Sequence, residues 1–410
     1  MSIFDLFKEF SDVNKTIIFK LELLRQGVKF SEKALKKVQE IDTAFKGFFL
    51  FSYDRGGMVT HEQKIPDYMY VGDNTPIQVR TYDKSPYTID ETNGIFVVME
   101  NGETIEEVYF LPAPKYYSKY LSDGTPMRAI VNAPGLDRLF VTINKYCEMF
   151  KADNQCWYCD FVPTTAEQTK KGEKIITHKD PEQVAEVLAV ALEEPRFRHI
   201  YLTGGSILSS VMGMNEIEYY CRHLNTIRKR LKVWYPTNFQ IGALKEDDWK
   251  RIYDTGVGVV QPNIEVWDKE LFKVLCPGKD KYVGYDEWIK RTIKGVDIFG
   301  PWRVMPNFVT GVEMAKPMGF KDVESAVKST LGGFEFFMEH GVMPRMDLWC
   351  IEPKSKLGGQ DPPPIEYYIR IGQGYTSLRR KFGLGLPIAD SRESYGIDCQ
   401  YDWDYFHPSC

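Results

Sequence analysis

Residues 138–161 read RLFVTINKYCEMFKADNQCWYCDF. The first seven, Arg138–Asn144, are rich in β-branched and aromatic side chains and read as a strand. Three cysteines follow in the spacing Cys-x8-Cys-x2-Cys: Cys147, Cys156 and Cys159. Three thiolates in one loop after a strand can hold three irons of a cubane cluster and leave the fourth iron without a protein ligand. An open metal position is what a substrate or cofactor needs in order to bind directly. The Cys156-x2-Cys159 half alone is shared with zinc ribbons and redox dithiols. A structural zinc wants four ligands, and the nearest further candidates, His178 and Cys221, supply no second Cys-x2-Cys.

Working outward, the chain alternates between strand and helix patterns. RHIYLTGGS (198–206), KVWYPTNFQIGAL (232–244), VGVVQPNIE (257–265), WRVMPNFVTGVE (302–313) and MPRMDLWCIEP (343–353) read as further strands. Between and after them, PEQVAEVLAVALEEP (181–195), NEIEYYCRHLNTIRKRL (215–231), KEDDWKRIYDTG (245–256), GYDEWIKRTIKGVDIFG (284–300), KDVESAVKSTLGGFEFFMEHG (321–341) and PIEYYIRIGQGYTSLRRKFG (364–383) have helical spacing. Strand–helix alternation implies parallel strands joined by crossovers. The expected fold is an α/β barrel of the TIM type, (βα)6 to (βα)8, over residues 136–385. An N-terminal extension, helical then partly β, occupies 1–135, and a tail 386–410. TIIFKLELLRQGVKFSEKALKKVQEI (16–41) carries the helical part. The segment 46–135 is rich in Tyr, Phe, Thr, Gly and Pro, with alternating stretches such as GIFVVME (94–100), and reads as a cover for the barrel. In parallel sheets chemistry sits at the carboxyl ends of strands, which selects Cys147–Cys159, Gly204–Ser206, Asn238–Gly242, Asn263–Glu265, Val309–Glu313 and Glu352.

The bulk numbers restrict the function classes. Of 410 residues, 43% are hydrophobic and 27% charged, ordinary globular values. The net charge of −5 gives no basic footprint, so nucleic acid is not the expected partner. No run approaches the ~20 apolar residues of a membrane span, and MSIFDLFKEFSDVNK lacks the apolar core and cleavage site of a signal peptide. The expected location is the cytoplasm, where eight cysteines are thiols or metal ligands rather than disulfides.

The cysteine loop after strand one, the aromatic Tyr158 before its last cysteine and the glycine pair after strand two resemble the radical S-adenosylmethionine (radical SAM) superfamily. LTGGS, IGALKEDDWKRIYDTGV, QPNIEVWDKELF and FVTGVE make the layout most similar to its biotin synthase-like branch, which includes hydrogenase-maturation and methylornithine-synthase enzymes. The superfamily's common spacing is Cys-x3-Cys-x2-Cys, so the eight-residue gap is a departure. The resemblance implies a [4Fe–4S] cluster on Cys147, Cys156 and Cys159. S-adenosylmethionine chelates the open iron and is reductively cleaved to a 5′-deoxyadenosyl radical that takes hydrogen from a small-molecule substrate. A flavodoxin- or ferredoxin-type donor supplies the electron.

By the same resemblance, Thr203, Gly204, Gly205 and Ser206 approach the methionine moiety, although most relatives place a glutamate where Ser206 stands. Glu265, with Asn263 beside it, accepts ribose hydroxyls. Gly311 and Glu313 pass the adenine, together with Tyr158. The plain alternatives are a strand-to-helix turn for the glycines, an exposed charge for Glu265, a structural acceptor for Glu313 and loop packing for Tyr158. Arg303, Asn307, Asn238 and Gln240 are inward or strand-end polar residues that either hold ligand or form a buried network. Cys221 reads as core, Cys276 as part of a connection, and Cys350 as a thiol at the active face. Cys399, His407 and Cys410 fall short of a four-ligand metal site. Biotin synthase holds a second cluster on barrel strands, and the matching positions here look like Phe239 and Met305, which cannot bind iron. Two other readings stand beside the enzyme: a non-catalytic iron–sulfur or zinc protein on a barrel scaffold, and a conventional barrel enzyme with structural cysteines.

Overall fold

The computed structural model describes residues 1–45, 64–72, 74–170, 172, 174–233 and 235–384. Cys399, His407 and Cys410, and residues 46–63 of the segment read as a cover, lie outside the described residues.

Six strands run parallel in sequence order: β1 (Arg138–Asn144), β2 (His199–Gly204), β3 (Thr237–Ile241), β4 (Val259–Pro262), β5 (Asn307–Thr310) and β6 (Arg345–Leu348). β1 to β4 form one ladder and β5 with β6 another. Parallel bridges Val260↔Val304 and Glu265↔Phe308 join the two ladders across β4 and β5. The helices α1 (Pro181–Ala191), α2 (Glu216–Leu231), α3 (Glu246–Asp254), α4 (Tyr285–Lys294), α5 (Val323–Glu339) and α6 (Ile365–Lys381) follow the strands in turn. Side-chain caps start several of them. Asp180 accepts from the N–H groups of Glu182 and Gln183 before α1, and Asn215 forms a capping box with Glu218 at α2.

Period-two alternation decides what each strand shows to either side. Val141, Ile143 and Leu202 are fully buried toward the helices. The opposite parity of β1, β2 and β6 points inward and meets across the sheet. Phe140 stacks on Tyr201 with centroids 5.0 Å apart, while the guanidinium carbons of Arg138 and Arg345 lie 4.8 and 5.8 Å from the Tyr201 ring. A residue of the sixth strand reaching the ring of the second requires a strongly curved sheet, as in barrel architectures. Phe239 belongs to the outer parity, packed on Tyr220 of α2 at 4.8 Å. The inward positions of β3 are Asn238 and Gln240.

The N-terminal third is α+β. Helices Ile3–Glu9, Lys15–Gln26 and Glu32–Val38 accompany a sheet in which Lys29–Phe30, Tyr87–Thr92, Ile95–Glu100 and Glu103–Val108 are neighbours. Two tight turns build this sheet: Asn93-Gly94 and Asn101-Gly102 all have positive φ, as two-residue hairpin turns require. Other residues of this N-terminal part reach the barrel directly. Arg80, 1% exposed, pairs with Glu352 at 3.1 Å and donates to the carbonyl of Ile351. The Tyr70 hydroxyl donates to the carbonyl of Gly135 at 2.9 Å. Among the described residues no helix is long and apolar enough to cross a membrane.

Candidate functional site

The carboxyl ends of the strands surround a cavity of about 250 Å³. Cys147, Cys156 and Cys159 line it, from the loop that leaves β1. Its remaining wall takes Tyr158 from the same loop, Thr203 to Ser206 after β2, Gln240 on β3, Asn263 and Glu265 after β4, and Asn307 on β5. Asp347, Trp349, Cys350 and Glu352 close it from β6 and beyond.

The cysteine loop is held from several sides. The Asn144 amide, at the end of β1, donates to the carbonyls of Tyr146 (2.7 Å) and Gly205 (2.8 Å). Gly205 lies so close that a Cβ there would sit 2.4 Å from the Tyr146 oxygen and 2.6 Å from the Cys147 Cα. Only glycine permits that approach. On the far side Trp157 N–H donates to Leu275 O and Gly278 N–H to Asn154 O, both at 2.9 Å. Leu357 N–H donates to Trp157 O at 3.2 Å, and Lys356 pairs with Asp153 at 2.8 Å. The eight-residue gap holds a short 3-10 turn, Glu148–Ala152, that ends at Asp153 with φ 54°.

The three thiols have unequal environments. Burial pushes Cys147 up and Cys159 well up. A hydrogen bond from the buried Cys276 holds Cys156 below the usual thiol range, against its own burial. Cys276, which the sequence placed in a mere connection, therefore stands against a predicted ligand. Among the described residues no three His, Cys, Asp or Glu side chains converge as they would on a single ion. Three cysteine thiols lining one cavity are the donor set that an iron–sulfur cluster takes. The donor set and the glycine edge beside it fit such a group.

Glu265 has φ 74°, rare outside glycine, and is 8% exposed. It pairs with Lys279 at 2.5 Å, and Lys279 also donates to Asn263 O at 2.6 Å beneath the Trp288 ring. Lys279 is a cavity residue not singled out from the sequence, since a lysine three residues after Cys276 has meaning only once the connection folds back. Glu216, at the start of α2, also lines the cavity, accepts from Ile207 N–H at 2.9 Å, and has its carboxyl pushed up to about 7 by burial.

The other predicted residues separate clearly. Gly311 and Glu313 lie off the cavity wall. Glu313, 2% exposed, takes hydrogen bonds from Gly311 N–H (2.8 Å) and the hydroxyls of Thr330 and Tyr367. Asn238 is fully buried below the cavity. Arg303 is exposed, contributing its carbonyl to the Val260 N–H at 3.0 Å rather than its side chain to the lumen; Pro306 and the short β5 leave it outside the strand. Cys221 is half-buried on α2, not core.

No protein-family model matches the chain. A bacteriochlorophyllide c C-7(1)-hydroxylase of Chlorobaculum limnaeum is 23% identical over 295 residues, covering 67% of this chain and 68% of that one. Methylornithine synthase superposes with a TM-score of 0.42 at 16% identity, over 66% of this chain and 78% of that one. Coproporphyrinogen III oxidase from Escherichia coli, a radical SAM enzyme, does so with a TM-score of 0.37 at 12% identity, over 63% and 55%. The chain is similar to radical SAM enzymes. Among residues that radical SAM readings of the sequence singled out, the cysteines, Tyr158, Thr203 to Ser206, Asn263 and Glu265 share one cavity.

Proposed function

We propose that the chain is a radical SAM enzyme acting on a small molecule, with Cys147, Cys156 and Cys159 holding three irons of a [4Fe–4S] cluster. The observation that carries this is the single cavity on which these thiols face the Gly204–Gly205 edge and Glu265. When bound, the cluster with S-adenosylmethionine supplies one-electron cleavage of the sulfonium and a radical able to take hydrogen from an unactivated carbon.

The protein's part is binding, orientation and exclusion of water. Carbonyls of the Gly204–Gly205 edge are suited to an ammonium group. Glu265 is suited to paired hydroxyls, and Lys279 to steadying that carboxylate. Phe140, Tyr201 and Trp288 supply apolar wall that keeps water from a reactive intermediate. Asn307 and Trp349 are 4% and 3% exposed and line the cavity with Oδ1 and Nε1 lacking a hydrogen-bond partner. Groups of that kind are satisfied by ligand or water. The reaction classes that fit are rearrangement, fragmentation, a methyl-type transfer or a cofactor-biosynthesis step. A flavodoxin- or ferredoxin-type protein is the expected electron donor, and the reduced cytoplasm the expected location.

Anaerobic reconstitution tests this. The expected result is about 4 Fe per chain, and a reduced-state EPR signal that changes when S-adenosylmethionine is added. A cluster indifferent to S-adenosylmethionine, or bound zinc in place of iron, would reject the reading.

A further inference from the structure

The gap between the first two cysteines brings one side chain to a second loop. The Glu148 carboxylate receives Leu208 N–H at 2.5 Å, Ser209 N–H at 2.6 Å and the Ser209 hydroxyl at 2.7 Å. Its own N–H donates to Ser206 O at 2.9 Å. Ile207 N–H, the preceding donor, goes to Glu216. Three consecutive backbone N–H groups, 207 to 209, therefore end on carboxylates from two different elements. A run of such donors is an anion-binding concavity, and here the chain fills it with its own side chains. Glu148 has little solvent contact, its side chain being 11% exposed, whereas Lys151, which pairs with it at 2.7 Å, is 60% exposed. The hydrogen bonds are thus of the charge-assisted, sheltered kind that hold geometry well.

The connectivity gives these bonds their meaning. Glu148 directly follows Cys147, and Ser206 directly follows the Gly204–Gly205 edge. A shorter gap would have no residues for the Glu148–Ala152 turn that aims the carboxylate. We propose that Glu148 is a positioning residue that locks the first cluster ligand to the cofactor-facing glycine edge, so that the two move as one body. This rests on reading the cavity as an S-adenosylmethionine site.

The test uses the full chain and the variants Glu148→Ala and Glu148→Gln. Wild type is titrated with S-adenosylmethionine by EPR; an unmoved signal there rejects the functional reading itself, independently of the variants. With wild type responding, Glu148→Ala is expected to reconstitute to the same iron content but to need roughly ten- to hundredfold more S-adenosylmethionine for the same spectral change, the scale of a misplaced positioning group. Glu148→Gln, which keeps one acceptor oxygen, is expected to recover part of that loss. Hydrogen exchange at the amides of Leu208 and Ser209 in the cluster-free protein should quicken in Glu148→Ala, a readout that needs no cofactor. Unchanged affinity in Glu148→Ala, or unchanged exchange at 208 and 209, overturns the proposal. If Glu148→Ala does not take up iron, Glu148→Gln decides: wild-type affinity at full iron overturns the proposal, and weakened affinity at full iron sustains it.

Discussion

At the scale of single residues the site depends on what is absent as much as on what is present. Gly205 leaves no room for a methyl group against the Cys147 backbone. Gly205→Ala is therefore expected to displace the cysteine loop and cut iron uptake severalfold. Gly332→Ala on α5, where nothing lies within 4 Å of the added carbon, should take up iron like wild type. Glu313 separates structure from site. Glu313→Ala strands two hydroxyls and an N–H in the core, and should cost about 3 kcal/mol in denaturant unfolding. Cofactor affinity should stay within twofold.

Glu216 gives a pH signature. Its folded-state value near 7 lies above the ordinary 4.5 because burial disfavours the charge. The folded protein thus binds its proton more tightly than the unfolded chain does. That contribution is complete below about 4.5 and is lost as pH rises toward 7. Glu216→Gln removes the titration while keeping an acceptor for Ile207. The melting temperature of wild type should fall relative to this variant between pH 4.5 and 8, and parallel curves would contradict the assignment.

At the scale of elements, the strand–helix alternation was legible because buried parallel strands are apolar runs and their crossover helices carry their own caps and periodicity. The runs overstate the strands. WRVMPNFVTGVE suggested twelve residues where the ladder has four, Asn307–Thr310, because Pro306 lacks a donor and Gly311 takes φ 102°. Parity was the harder matter. A shift of one residue exchanges lumen and helix faces, and so Phe239 looked like a lumen position although it packs outward on Tyr220. The N-terminal hairpins carried a signal in Asn93-Gly94 and Asn101-Gly102, diluted by the aromatic and glycine-rich composition around them. Lys279 and Glu216 had none, since each reaches the cavity from a connection or a helix start far along the chain. Helix packing offers its own test. A Cβ on Gly295 would fall 2.5 to 2.8 Å from the ring of the fully buried Trp249 on α3. Gly295→Ala should destabilise the protein by about 2 kcal/mol through overpacking, read by urea unfolding, without changing iron content.

At the scale of the whole molecule, the Arg80–Glu352 pair ties the N-terminal residues to the segment after β6 across 272 positions of sequence. Breaking a buried pair by removing one partner costs about 3–5 kcal/mol. Arg80→Ala should therefore lower stability by that order in a single transition that includes the barrel. Two resolved transitions, with the barrel's unmoved, would show that the pair couples nothing. The cysteine loop has the same long reach, since it is pinned by Leu275 and Gly278 on one side and by Lys356 and Leu357 on the other. During synthesis its thiols emerge long before the residues that clasp them. Contacts of such sequence separation form late, and domains of this size complete them only once most of the chain is available. The nascent chain should therefore carry three unguarded thiols until residues 356 and 357 have been made, and cluster insertion should follow that point.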